Sequence, residues 1–432
     1  MTLWKYLAQA GALCFDLGVK KLLQSVGPAI VVAAVVLGPG SILTSSKVGA
    51  TFGPLGIPVV IVAAILMIGM VALAARIGVV YENSACDELS SRLGRPVSVA
   101  VGLILFLLVA LFQSSNNIAV VAGLSPLVEL MNGGVPMSVM SQVILLIVFN
   151  SFVISCLYLM RNLYGSIEKL MKILIGVMVI SFLINFVVAY LTPRSFEPIA
   201  EVSKGDLIAL LGMIGTTFSV GGAFYQCYLV KEKGWGIGEA KRGVIDSVVS
   251  ISVLGGVTLV ILLTATRVFY GNPEGVSLAR VDDVARQLEP LFGSWATVMF
   301  SLGIVAGAFS SFLVNSMIGG TVMADSIGKG SRLSQPWPLH LTSVALLVGM
   351  TVAIFSIMKD GSTVKLITFA QALTVLGIPA LAAALVYLGT RKELIGERRV
   401  PRWIIALASA GFAISCVLAV RTALAVWEKV GL

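Results

Sequence analysis

Apolar stretches uninterrupted by Asp, Glu, Lys or Arg dominate the chain. They cover 22–46, 48–75, 96–128, 130–160, 173–193, 207–230, 247–266, 290–324, 333–358, 366–390 and 403–420. A helix needs roughly 20 apolar residues to cross a bilayer, so the pattern predicts eleven spanning helices. The runs are continuous rather than alternating, which excludes a β-barrel, and a helix satisfies its own backbone polar groups in lipid. Composition agrees: of 432 residues, 58% are hydrophobic and 12% charged, with a mean hydropathy of +1.00. Soluble domains carry about 25% charged residues. A soluble enzyme is therefore excluded, and so is a disordered chain, whose composition is the opposite.

Charge then orients the runs. With the N-terminus inside, the inner segments hold twenty Lys and Arg and the outer segments nine, with Lys47 between the first two runs. The positive-inside bias places the N-terminus in the cytoplasm and, with eleven spans, the C-terminus outside. The net charge of +9 reports these loops rather than a nucleic-acid partner; the partner implied is the lipid bilayer. Residues 1–21, with Trp4, Lys5, Tyr6, Lys20 and Lys21, read as a cytoplasmic interfacial helix and not as a signal peptide. No organelle signal is visible, and the expected location is a bacterial inner membrane.

Two runs are interrupted. The first contains Gly38-Pro39-Gly40-Ser41, which cannot continue a helix, because Pro39 lacks a donor and clashes with the preceding turn. Ser41 is a natural N-cap for a second half-helix. The sixth contains Gly215-Thr216-Thr217-Phe218-Ser219-Val220-Gly221-Gly222. Interruptions five spans apart are expected of two inverted five-helix repeats, each opening with a broken helix, and such pairs point to a transporter site. The expected organisation is a first repeat over 22–190, a second over 205–390 and an eleventh helix with the C-terminus over 401–432.

Other chemistry is sparse. Cys14, Cys86, Cys156, Cys227 and Cys416 form no CxxC pair and read as small packing side chains. The single histidine, His340, excludes a His-rich metal site and reads as interfacial or packed. Gly303 and Gly307 read as packing glycines, and Asp282-Asp283 as a solvated pair in an outer loop. No HExxH, no paired acids on a helix face and no nucleophile beside a base are present, so no enzyme and no cofactor is expected.

The chain resembles the Nramp divalent-metal transporters over about 25–390. Arg76-Ile77-Gly78-Val79-Val80 is similar to the end of that family's second helix, and Tyr164-Gly165-Ser166-Ile167-Glu168-Lys169 to the start of its fifth. Asp246 falls where the family has an Asp. Gly307-Ala308-Phe309-Ser310-Ser311 with Gly319-Gly320 is similar to the eighth helix, and Ala370-Gln371 with Ile378-Pro379 to the tenth. The resemblance implies a LeuT-like fold: an all-α polytopic membrane protein with helices one and six broken at the midplane. The family's site residues are absent. Its Asp-Pro-Gly-Asn motif is here Gly38-Pro39-Gly40-Ser41, its Met-Pro-His motif falls at Ser219-Val220-Gly221, and the glutamine some members carry on helix ten falls at Gly377. The positions matching metal ligands are thus Gly38, Ser41, Ser219 and Gly377. Acids that the family ties to proton movement on helix three are replaced by Gln113-Ser114-Ser115-Asn116-Asn117.

None of the runs holds an acidic residue. A hard divalent cation is normally held by oxygen ligands that include carboxylates, and proton coupling normally uses an intramembrane acid or histidine. The cavity is expected to be lined by Gly38, Gly40, Ser41, Thr44, Thr217, Ser219, Gly221 and Gly222, with Asn116, Asn117, Gln371 and Gly377 as further candidates. Lys47 would place a positive charge at the outer mouth or snorkel to headgroups. These residues lead to the expectation of a secondary transporter for a small neutral or anionic solute, with the coupling ion undetermined. Two readings remain beside it: divalent metal transport through carbonyls, hydroxyls and water, and a receptor or scaffold that binds without moving its ligand.

Overall fold

A computed structural model describes residues 27–160, 163–194, 196–197, 207–272, 278, 294–359 and 363–430. For helix residues 207–209, 294, 296–297, 363–374 and 425–430, only the backbone is described. The expected interfacial helix at 1–21, Cys14, the Asp282-Asp283 pair and the Gln371 side chain lie outside the described residues. What is described is all-helical, without a strand: α1 (Ala29–Val36), α2 (Pro39–Phe52), α3 (Gly56–Val80), α4 (Ala85–Leu93), α5 (Arg95–Met131), α6 (Val139–Leu159) and α7 (Leu163–Leu191). They are followed by α8 (Leu207–Thr217), α9 (Val220–Glu232), α10 (Ala240–Phe269), α11 (Ser294–Ser326), α12 (Pro336–Met358), α13 (Thr363–Gly389) and α14 (Arg402–Val430). Among the described residues, eight helical segments are long and apolar enough to cross a membrane. The chain is an integral membrane protein.

Burial sorts the helices into a centre and a lipid-facing shell. Every residue of α1 is buried, and so is α9 from Gly222 to Val230. The long α11 packs most extensively on α5, and both α1 and α2 lie against it. In contrast, α6, α7 and α12 expose apolar side chains such as Phe152, Ile180 and Phe355, as helices facing hydrocarbon must.

Local signals set the ends. Ser84 starts α4 by accepting from the Asp87 amide at 3.2 Å, and Ser138 starts α6 by accepting from Ser141 at 3.1 Å, each satisfying an orphan donor of a first turn. Gly53 turns α2 toward α3 with φ +57°, a conformation that favours glycine, beneath the Tyr270 ring.

The connections gather at two ends. At one end Arg76 donates to the carbonyls of Glu397 and Arg399 at 2.6 and 2.8 Å, and Lys231 to that of Tyr81 at 2.6 Å. There too, Glu232 accepts from Leu333 N at 2.6 Å, and Arg92 pairs with Glu393 at 2.6 Å. Tyr81 is held there by donating to Leu388 O at 2.9 Å, and burial pushes its hydroxyl up to about 12. These are the segments that the charge pattern assigns to the inner side, so this end is called inner below. At the opposite end Arg194 donates to Arg267 O at 3.1 Å, and Arg267 to Thr192 O at 3.3 Å.

Candidate functional site

Helix α1 stops at Val36, and α2 begins at Pro39 after Leu37 (ψ 34°) and an extended Gly38 (φ −77°, ψ 175°). Helix α8 stops at Thr217, and α9 begins at Val220 after Ser219 (φ −85°, ψ 89°). The structure departs from expectation in one detail. The N-cap of α2 is Gly38 rather than Ser41, because Pro39 fits the first helical position, where no donor is needed. Ser41 sits one turn later, and its hydroxyl reaches back across the interruption to Val36 O at 2.5 Å.

The two pairs of half-helices lie side by side in reverse order, α1 against α9 and α2 against α8. In the outer pair, Thr44 and Thr216 join hydroxyls at 3.1 Å, and Thr44 also donates to Gly40 O at 2.8 Å. In the inner pair, a Cβ on Gly222 would lie 3.3 and 3.4 Å from Val32 and Val35, so glycine lets the two helices approach. The first interruption is backed by α11. Ser310 donates to Ala34 O at 2.8 Å and to Gly307 O at 3.0 Å. A Cβ on Gly307 would lie 2.6 Å from the Leu37 carbonyl, and one on Gly38 would lie 2.7 Å from the Ser311 hydroxyl. Gly303 likewise packs, against the Phe182 ring.

The structure thus gathers Gly38, Gly40, Ser41, Thr44, Thr217, Ser219 and Gly222 at or beside the interruptions. Ser219 and Gly221 are half-buried, while the Thr217 hydroxyl is buried without a hydrogen-bond partner. Gly221 faces the Leu105 side chain of α5. Other candidates are occupied elsewhere. Asn117 donates to Gln113 O at 2.8 Å and accepts from Asn150 of α6 at 2.7 Å. Asn116 donates to the Gln113 side chain at 2.6 Å, and Gln113 in turn donates to Phe312 O of α11 at 2.5 Å. These amides join α5 to α6 and α11, a use common between membrane helices. Gly377 packs against Ile104 and Leu108 of α5. Lys47 is half-buried on α2. His340 is exposed at the start of α12, with Nδ1 2.7 Å from the Tyr158 hydroxyl.

Three buried carboxylates were not singled out for the site by the sequence reading. Asp246, on α10, accepts from Gly27 N at 2.6 Å and Ala29 N at 2.8 Å, and so caps the start of α1. Asp325, near the end of α11, accepts from Tyr228 and Ser84 hydroxyls, both at 2.7 Å, and from Cys86 N at 3.3 Å. Glu168, on α7, pairs with Lys172 and Lys233 at 2.8 and 2.7 Å. All three sit toward the inner end; in the sequence Asp246 and Asp325 border apolar runs, and Asp246 and Glu168 fall in the stretches that carry the family resemblance. Among the described residues, no group of three or more His, Cys, Asp and Glu is placed to hold a metal ion.

The chain is similar to the divalent metal cation transporter MntH of Verminephrobacter eiseniae, with 23% identity over 94% of this chain and 91% of that protein. It is similar to the Yersinia pestis protein of the same name, with 25% identity over 87% and 88%. The fold is shared with the Eremococcus coleocola manganese transporter, solved in complex with an aromatic bis-isothiourea substituted compound. The TM-score is 0.69 and the identity 20%, over 93% of this chain and 86% of that one. A more distant likeness is to Mhp1, a nucleobase-cation-symport-1 family transporter, with a TM-score of 0.54 and 11% identity over 94% and 93%. The family described as natural resistance-associated macrophage protein-like, Nramp, matches residues 29–425. The chain belongs to the Nramp family.

Proposed function

We propose that the protein is a secondary transporter that moves a divalent metal ion across a bacterial inner membrane by alternating access around the two interruptions. The observation that carries this reading is the pairing of α1/α2 with α8/α9 in reverse order, in a chain whose relatives are named as divalent metal cation transporters. It replaces the neutral or anionic solute expected from the sequence as the leading cargo. The same pairing supports two five-helix repeats over 22–190 and 205–390 with both breaks near the midplane, and the apolar helix Arg402–Val430 supports an eleventh span in 401–432. The positive bias of the inner segments supports a cytoplasmic N-terminus and an outer C-terminus.

The ion is proposed to sit among hard neutral oxygens: the Ser41, Thr44, Thr217 and Ser219 hydroxyls and the backbone at Leu37–Gly38. With no carboxylate among these groups, an ion that keeps much of its water shell fits best, as Mg²⁺ does by preference. Uptake of Mn²⁺ and Mg²⁺ into proteoliposomes tests the reading. Saturable flux is expected, with Ser41→Leu and Ser219→Leu abolishing it. Undiminished transport in both variants would remove the site from these residues. One observation favours a second reading, a small neutral or anionic solute: none of the side chains gathered at the interruptions is acidic. Flux of such a solute with silent metals would select it.

A further inference from the structure

We propose that the side-chain amide of Gln226 lines the inner half of the transport path and contacts the hydration shell of the cargo when the α1–α9 seam opens. The proposal rests on the transporter reading above and deepens it. Gln226 is fully buried, and neither its Nε2 nor its Oε1 has a hydrogen-bond partner. The other buried amides behave differently. Gln113, Asn116, Asn117, Asn150 and Asn185 each donate at least one bond at 3.0 Å or less. Among the described residues, Gln226 is the buried amide that leaves both ends unused.

Its place on α9 explains what could use them. Ser219, Gly222 and Gln226 are spaced three and four apart, so they follow one another along one face of the helix. At Gly222 that face meets Val32 and Val35 of α1. Helix α1 is apolar from Ala29 to Val36, so it offers Gln226 no side-chain partner. A seam that stayed closed would be more stable with leucine in this position, since an unpaired buried amide is costly. The closed seam is one state of two. Tyr228, two residues on, is tied to Asp325 and holds the inner end of α9 in this state. Parting α1 from α9 would uncover a row from the interruption toward the inner surface: a hydroxyl at Ser219, space at Gly222 and an amide at Gln226. A carboxamide suits a hydrated divalent cation because its oxygen accepts from metal-bound water without trapping the ion by charge.

The test uses the full chain in proteoliposomes with Mn²⁺ as the probe. Gln226→Leu is expected to lower the maximal uptake rate about tenfold with little change in KM, the signature of a group used during passage. Its thermal midpoint in detergent is expected to equal or exceed that of the parent, which a structural glutamine would not allow. Gln226→Asn, which keeps the carboxamide, is expected to retain uptake. Parental uptake by Gln226→Leu, or a fall in both its midpoint and its rate, would overturn the proposal. Should the parent move no metal ion, the cargo reading fails, and the lining role is decided separately. Gln226→Cys in a Cys227→Ala background is expected to react with an impermeant maleimide applied from the inner side, read by peptide mass at position 226 itself, and labelling of that position from neither side would overturn the proposal.

Discussion

The inner and outer halves of the paired broken helices are built from different materials. The inner pair, α1 with α9, is apolar across the seam apart from the Ser219, Gly222 and Gln226 row, and is buried almost throughout. Its ends are fixed by carboxylates with complete partners, Asp246 on the start of α1 and Asp325 on Tyr228 of α9. The outer pair, α2 with α8, is rich in hydroxyls and lets Leu210, Gly212, Ile214 and Thr216 remain half-buried. One half is closed by long-range polar clasps around an apolar seam; the other joins a threonine pair to apolar packing of Val48 with Met213 and Leu210. A transporter that must open its halves in turn needs each closure to be reversible, and here the buried carboxylates sit at the inner one.

Breaking the inner clasp should have the largest effect. Asp246→Ala leaves two buried amides at the start of α1 without an acceptor, which costs about 2–6 kcal/mol at about 1–3 kcal/mol each. Thermal unfolding in detergent should show a clearly lower midpoint, and Asp246→Asn, which keeps one acceptor oxygen, should fall between. A midpoint unchanged in Asp246→Ala would show that α1 is not held by this carboxylate. Next comes the backing of the first interruption. Gly307→Val drives a side chain into the Leu37 carbonyl, an overpacking error worth about 1–3 kcal/mol, and should reduce both stability and uptake. Normal uptake by this variant would show that the interruption tolerates displacement.

The first interruption was legible because its cause is local, the Gly38-Pro39 pair; the second was placed only nearby, since the helix stops at Thr217 and resumes at Val220, while Gly221-Gly222 lies inside α9 just as Gly319-Gly320 lies inside α11. The N-cap was misplaced by one turn because proline's tolerance at the first helical position outweighed the capping preference of Ser41. The buried carboxylates were illegible for a different reason. Runs counted between charged residues end, by construction, at Asp246 and Asp325, whereas α10 starts six residues before Asp246 and α11 continues to Ser326. Gly27 and Ala29 on Asp246, and Ser84 and Cys86 on Asp325, are donors more than 200 residues away in the chain, which a linear scan does not register. Asn117 was drawn toward the cavity for the same reason, since its partner Asn150 lies on another helix.

On the outer side the expected effects are smaller. Thr216→Val removes the hydroxyl pair with Thr44 and should cost only about 0.6 kcal/mol, the average for such bonds between membrane helices. A loss as large as that of Asp246→Ala would erase the contrast between the halves. Smallest of all is a chemical readout. Burial, with the Asp325 charge beside it, pushes the Cys86 thiol up, so a maleimide should modify the half-buried Cys156 and Cys416 well before Cys86. Early labelling of Cys86, read by peptide mass, would mean that the Asp325 clasp opens freely.

The most direct test of the central claim is Mn²⁺ uptake by purified protein in proteoliposomes, compared with Ser41→Leu and with a panel of small carboxylates, amino acids and inorganic anions. Saturable Mn²⁺ uptake that Ser41→Leu abolishes is the expected result. Uptake of an organic solute or anion with no metal flux would contradict it, and would mean that this chain retains the family's fold around a different cargo.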